Sequence, residues 1–315
     1  MLSLRFLALP LLCVALVQFS GCAKDADNTT TSPVATDPSP LSDATSVGNL
    51  HFDNGLSRKE RGAFVTALDY LDHSEITNAD PALLEMMQIP SFDRFTLHQW
   101  LEDRIQYIVP SNVNLDVKIP ILQKNFTGYE NPGAIPQIFL DAQNPGNHLA
   151  DASAGKVVMS NIGVTIYLTG KLHSWLLALD IDGVGRVPFS SPRTGMLKIG
   201  EGLFLMPAKY SNLVKIFQLT TLLHESRHSD GNGTGTGFLH DKCPDGDYAG
   251  QAACDHYTNG AYEIQTLALG EFLNACSDCS VIEREELKLL IIDMDKRQIR
   301  DSGTATLDPR PEGHR

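Results

Sequence analysis

His224, Glu225 and His228 stand in the run His-Glu-Ser-Arg-His, so two imidazoles and a carboxylate share five consecutive positions. On an α-helix, residues four apart lie on one face, so His224 and His228 point at the same spot. Two imidazoles on one face form half of a Zn²⁺ site. Glu225 is turned about 100° around the helix from His224 and can hold a water at the open coordination position. Zinc lowers the pKa of such a water to about 7, and the carboxylate takes its proton as it attacks a carbonyl. The assignment is therefore Glu225 as general base, with His224 and His228 as metal ligands.

The element that must carry these groups is a helix, and the preceding residues agree. Asn212–Leu223 contains no Gly or Pro, and Lys215 is its only charge. Ser211 is a suitable N-cap. Apolar residues at 213, 216, 217, 219, 222 and 223 cover most of the circumference, which describes a buried helix. Gly231 stands at a C-cap-like position. A core helix with two hydrogen-bonded, metal-free histidines is the alternative, but a buried Glu beside two buried His needs a partner.

A catalytic zinc site usually takes a third protein ligand. His224 to Gly231 resembles a zincin of the metzincin kind, with Gly at the expected place. That family puts its third ligand where this chain has Thr234, a poor zinc ligand. Thermolysin-like enzymes take a Glu from a later helix. Glu263 lies at a comparable distance, but Leu267 stands where they place an Asp. Asp255 would serve an aspartate-type zincin. His240, in Phe238-Leu-His-Asp-Lys-Cys-Pro244, is the preferred third ligand, with Glu263 as the alternative. The pattern from His240 through Ala253-Cys-Asp255 to Gly260-Ala-Tyr262 resembles bacterial lipoproteins that carry HExxH outside the well-known peptidase families. The resemblance spans Leu213 to Leu269. It implies a zinc metallopeptidase acting on a protein or peptide. Tyr248, Tyr257, Tyr262 and Arg227 are within sequence reach as oxyanion donors. Asp230 is placed to hydrogen-bond a ligating His.

Residues 1–21 read as an export signal: Arg5 is the only charge, and Leu7 to Val17 is an apolar run too short to span a bilayer. Phe19-Ser-Gly-Cys22 resembles the lipobox of bacterial lipoproteins, which implies lipidation at Cys22 and attachment to the cell envelope. Ala23 after the Cys implies the outer membrane, by resemblance to enterobacterial sorting. The export reading fits the cysteines. Beyond Cys13 and Cys22, four remain, and an even number in an oxidising compartment suggests disulfides. Of three connectivities, Cys243–Cys254 with Cys276–Cys279 is expected. A Cys₄ structural zinc site is the competing reading. The formal charge is −13 and no basic cluster appears, so nucleic acid is not an expected partner.

The remaining chain suggests a domain order. Residues 22–48, rich in Thr, Ser, Asp, Ala and Pro, read as a flexible tether. A domain over 49–300 follows, then a polar tail over 301–315. Ser57 to Glu60 is a capping box with Leu56 as a staple, opening a helix to about Asp72. Pro81 starts a short helix over Ala82 to Gln88. A third helix is expected over Thr96 to Val109, stopped by Pro110. Asn114 to Leu122 and Lys156 to Thr169 alternate as strands. Asp180 to Gly183 is a turn, because Ser191 stands where a calcium loop needs its Glu. Arg193 to Phe204 is expected as a strand, which the zincin resemblance would make a substrate-binding edge. Ser229 to Gly260 is a long loop with seven Gly. Helices over Ala261 to Cys276 and, behind a Ser280–Glu283 capping box, to about Ile299 complete the chain. The expected class is α+β and zincin-like: a mixed sheet, a buried active-site helix and a largely helical C-terminal part. Rival readings are a zinc-stabilised or metal-free envelope-binding protein without turnover, and hydrolysis of a cell-wall amide.

Overall fold

Two capping boxes, one at each end of the chain, set the helical frame. In the computed structural model, residues 41–110, 137–142, 163–169, 178–188, 196–204, 206, 208–228, 230, 238, 240–301 and 303–305 are described. The short strands β1 (Ser46–Val47) and β2 (Leu50–Phe52) come first. Helix α1 (Arg58–His73) then opens on Ser57, whose side chain accepts from Glu60 N while Glu60 accepts from Ser57 N. Helix α2 (Pro81–Met87) starts at its proline and ends at Gln88 in the left-handed region. Helix α3 (Arg94–Glu102) is capped by Asp93. Strands β3 (Tyr107–Val109), β4 (Gln137–Ala142), β5 (Gly163–Thr169), β6 (Ala178–Ile181), β7 (Gly185–Pro188) and β8 (Met196–Ile199) follow. Then come α4 (Ser211–His228), β9 (His240–Lys242), β10 (Ala252–Asp255), α5 (Ala261–Ala275) and α6 (Val281–Asp295).

The architecture is mixed α+β, with six α-helices among the described residues. The main sheet has the order β1-β2-β3-β8-β5-β4 and is mixed: β2, β3 and β8 run parallel, while β5 lies antiparallel to both β8 and β4. A single hydrophobic core joins β2, β3 and β8 to α1, α2, α3, α4, α5 and α6. Helix α4 packs on α1 and α5 within it. Its Leu213, Ile216, Phe217, Leu219, Leu222 and Leu223 are all buried. Each such side chain contributes about 1.5–3 kcal/mol.

Several expectations need correction. The third helix stops at Glu102, and Tyr107–Val109 is a strand between β2 and β8. Its β-branched and aromatic residues are claimed by sheet pairing on both sides, which outweighs the helical spacing of Ile105 and Ile108. The strand expected over Arg193 to Phe204 is shorter, and β8 is an interior strand. With ladders to β3 and β5 already made, it cannot add a substrate strand. Strand pairing starts at Ser46–Val47, inside the stretch read as tether, and Ser42 N donates to Arg58 O. The last helix ends at Asp295 rather than Ile299, because 297–299 turn to pair with Asp255. The tail is tied down at its start: Ala305 N donates to Asn259 Oδ1 at 2.9 Å. Asp180–Gly183 does form a turn, between β6 and β7, with Gly183 at a φ of 81°. Signal residues 1–21, Cys22, Asn114 to Leu122 and Gly231 lie outside the described residues. No described helix is long and apolar enough to cross a membrane.

Candidate metal centre

Helix α4 is held at both ends by buried polar contacts. At its start, Val214 N donates to Tyr210 O, so Ser211 lies inside the helix rather than capping it. The free N–H groups of Asn212 and Leu213 donate instead to Glu283 Oε1 on α6, at 3.0 and 3.4 Å. Burial pushes the Glu283 carboxyl up, but hydrogen bonds from Ser280, Asn212 and Leu213 outweigh it and hold the pKa below the ordinary value. At its end, Arg227 is fully buried inside the motif itself. Its guanidinium reaches Met86 O at 2.9 Å, Asn259 O at 2.6 Å and Asp230 at 3.0 Å. It also stacks on Phe238, 3.8 Å from the ring centroid. Arg104 completes the group, 2.9 Å from the other oxygen of Asp230. Asp230 therefore pairs two buried guanidiniums. A buried carboxylate between two arginines is compensated, as a buried charge must be.

The helix delivers His224 and His228 to one spot, and β9 delivers His240 to the same spot. One ligand atom from each of the three lies within 4.8 Å of the others, and this group could hold a metal ion. His224 Nε2 and His240 Nε2 are 3.1 Å apart. Two ring nitrogens at that distance must share a proton or a cation. Tetrahedral zinc with bonds of about 2.0–2.1 Å sets its ligand nitrogens about 3.3 Å apart.

The donor set fits zinc in a second way. His240 Nδ1 donates to Asp255 Oδ1 at 3.1 Å, and His228 Nδ1 donates to the carbonyl of Phe238. A carboxylate and a carbonyl can only accept, so both rings carry their proton on Nδ1 and present the Nε2 lone pair. This is the arrangement by which ligating histidines are usually oriented. Burial pushes the His224 imidazole well below its ordinary value, and the nearby His228, His240 and Arg297 push the same way against the Gln265 side chain. The neutral, metal-binding form is thus favoured there.

Asp255 is the organising residue behind His240. Its other oxygen accepts from Tyr262 N at 2.6 Å, at the start of α5. A Cβ at Gly260 would collide with that carboxylate, so glycine is required there by close approach. Tyr262 forms a wall of the site. Its ring stacks on His240 at 4.5 Å and 24°, and meets the edge of His224 at 4.6 Å. Its hydroxyl accepts from Arg297 at 3.0 Å. Arg297 is paired with Asp293 at 2.8 Å, and Asp293 also accepts from Tyr248.

Among the residues singled out from sequence, His224, His228 and His240 converge, with Glu225 fully buried beside them on α4. Glu263 is not part of the group: it lies against Gln298 near Asp295 and Arg300, where burial raises its pKa. Asp255 touches His240 rather than joining the three as a ligand. Of the oxyanion candidates, Tyr262 packs against His224 and His240. Tyr248 serves Asp293, Tyr257 packs on Phe238, and Arg227 anchors the helix. Both expected cysteine pairs are disulfides, Cys243–Cys254 and Cys276–Cys279, which removes the Cys₄ zinc reading. Arg297 and Asp293 were missed. Asp293 stands on α6 and Arg297 just past its end, four residues on, so they read locally as a surface ion pair. No protein-family model, curated protein or solved structure matches this chain.

Proposed function

We propose that this chain is a zinc-dependent hydrolase of the zincin kind, a metalloendopeptidase anchored to the bacterial envelope through a lipid on Cys22. The observation that carries the reading is the convergence of His224, His228 and His240 on one buried point, beside Glu225. Three imidazoles match the protein ligand set of a catalytic zinc. When bound, zinc supplies Lewis acidity and brings the pKa of a bound water to about 7. The three histidines hold and orient. Asp255 and Phe238 O keep the Nε2 lone pairs of His240 and His228 aimed inward. The Glu225 carboxylate takes a proton from the attacking water and passes it to the departing amide nitrogen. Its burial keeps bulk water from the site.

A second reading is a zinc-stabilised envelope-binding lipoprotein without turnover. It is favoured by the closure of the site: His224 is 2% exposed, and Glu225 and His228 are 0% exposed. Structural zinc sites are closed, whereas catalytic ones keep an open position.

The deciding experiment has two stages. Metal content of the purified chain is measured beside His224→Ala. One zinc per chain, absent in the variant, supports the site; no zinc after zinc is supplied overturns it. Wild type and Glu225→Gln are then compared on a protein panel and on purified sacculi. Cleavage lost in the variant supports the hydrolase and separates peptide from cell-wall substrates. Zinc bound with no cleavage of either makes the binding protein the better reading. Labelling with a radioactive fatty acid, lost in Cys22→Ser, tests the anchor.

A further inference from the structure

The third histidine is held by different means from the first two. His240 lies on β9, whose three residues pair with β10 in a two-stranded sheet separate from the main one. The register slips between Ala252 and Cys254. A hairpin of that kind is marginally stable on its own. The hairpin also lies outside the main core, with Cys243, Tyr248, Ala253 and Cys254 forming a small cluster joined by Ile299. Beside this short ladder, the Cys243–Cys254 disulfide crosslinks the two strands covalently, across a sequence separation of 11. His240 stands three residues before Cys243, and Asp255 directly follows Cys254. The bond therefore fastens the strand carrying the ligand to the strand carrying the carboxylate that orients it. Asp255 is in turn tied to the body of the protein, with Asp255 N donating to Arg297 O at 2.7 Å and Ile299 N donating to Asp255 O at 3.1 Å.

We propose that the Cys243–Cys254 disulfide is a positioning clasp for His240, and that the metal site is complete only in the oxidised chain. The proposal rests on the metal reading above. With the clasp open, β9 gains freedom, and holding His240 on the metal costs loop entropy that the closed chain has already lost. Two ligands on α4 remain and bind zinc more weakly. The Cys276–Cys279 bond closes only the turn between α5 and α6 and does not touch a ligand strand.

The test is zinc affinity, read by competition with a chromogenic chelator. Four chains are compared: wild type, Cys243→Ser/Cys254→Ser, His240→Ala and the triple variant, with Cys276→Ser/Cys279→Ser as control. The clasp variant should bind at least about 10-fold more weakly, the scale on which loss of a ligand-orienting contact acts. His240→Ala should weaken wild type but add almost nothing without the clasp, and the control should bind like wild type. Equal affinity of wild type and the clasp variant overturns the proposal, as does a His240→Ala effect of the same size in both backgrounds. A wild type that binds no zinc overturns the metal reading and the clasp with it.

Should the serine variant fail to fold, the oxidised chain is reduced after folding. A water-soluble phosphine breaks the S–S bond and is oxidised to its phosphine oxide with oxygen from water, leaving two thiols. Alkylation at Cys243 and Cys254 confirms the product. Cobalt affinity, followed by its visible spectrum, should then fall by a similar factor. An unchanged value again overturns the clasp.

Discussion

The three histidines that could hold a metal ion come from two regions built on different physics. Helix α4 supplies His224 and His228 from the middle of the main core, with its first N–H groups capped by Glu283 and its end anchored through Arg227 and Asp230. The β9–β10 hairpin supplies His240 from outside that core, through a short ladder, one disulfide and one carboxylate. The first region is held by the packing of its buried apolar side chains in that core. The second holds its ligand through a few specific bonds, each of which can be cut singly. A three-ligand site built this way has a fixed pair and a conditional third.

Removing one member of the fixed pair tests this contrast most severely. His224→Ala or His228→Ala should leave no zinc after desalting, while His240→Ala should retain weaker, measurable binding. Metal content by atomic emission and a chelator titration read both, and equal loss in all three would erase the distinction. Next in size, Glu225→Gln should lower hydrolysis by about 10²–10⁴-fold with zinc still bound. Turnover and metal content measured on one preparation check it. Asp255→Asn should weaken zinc binding by about 10–100-fold, since the amide is a poorer acceptor for His240 Nδ1–H. A titration beside Asp230→Asn sharpens the point: Asp230 pairs with Arg104 and Arg227, and its loss should cost stability more than affinity.

The smallest effect concerns the helix start. Glu283→Gln should lower stability by about 1 kcal/mol by weakening the cap on Asn212 N and Leu213 N. Because the folded carboxyl has a lowered pKa, its contribution is fully present above the ordinary carboxylate range and is lost as pH falls through the folded value. Urea midpoints measured from pH 7 down to pH 3 should therefore fall in wild type, with a shallower fall in Glu283→Gln.

How much of this was legible in the chain depended on how local the cause was. The capping boxes at Ser57 and Ser280, the buried α4 and its two-histidine face were all readable, because caps and helical period act within four residues. The even number of cysteines pointed to disulfides, and both favoured pairs form. The helix wrongly extended over Tyr107–Val109 shows where local reading stops. These three residues, aromatic and β-branched yet in helical register with Leu101 and Ile105, have no single local preference, and two neighbouring strands decided the outcome.

The sequence by itself determined an α-helix carrying His224, Glu225 and His228 on faces fixed by 3.6 residues per turn. It also determined that this helix is buried and that the cysteines beyond residue 22 are even in number. Only the tertiary structure decided that His240, rather than Glu263, reaches the pair, that Asp255 orients it, and that Arg297, Tyr262 and Gly260 shape its surroundings. Those contacts join residues far apart in the chain. Their partners are chosen by how the β9–β10 hairpin and α6 fold back onto α4 and α5, and no local spacing records that choice.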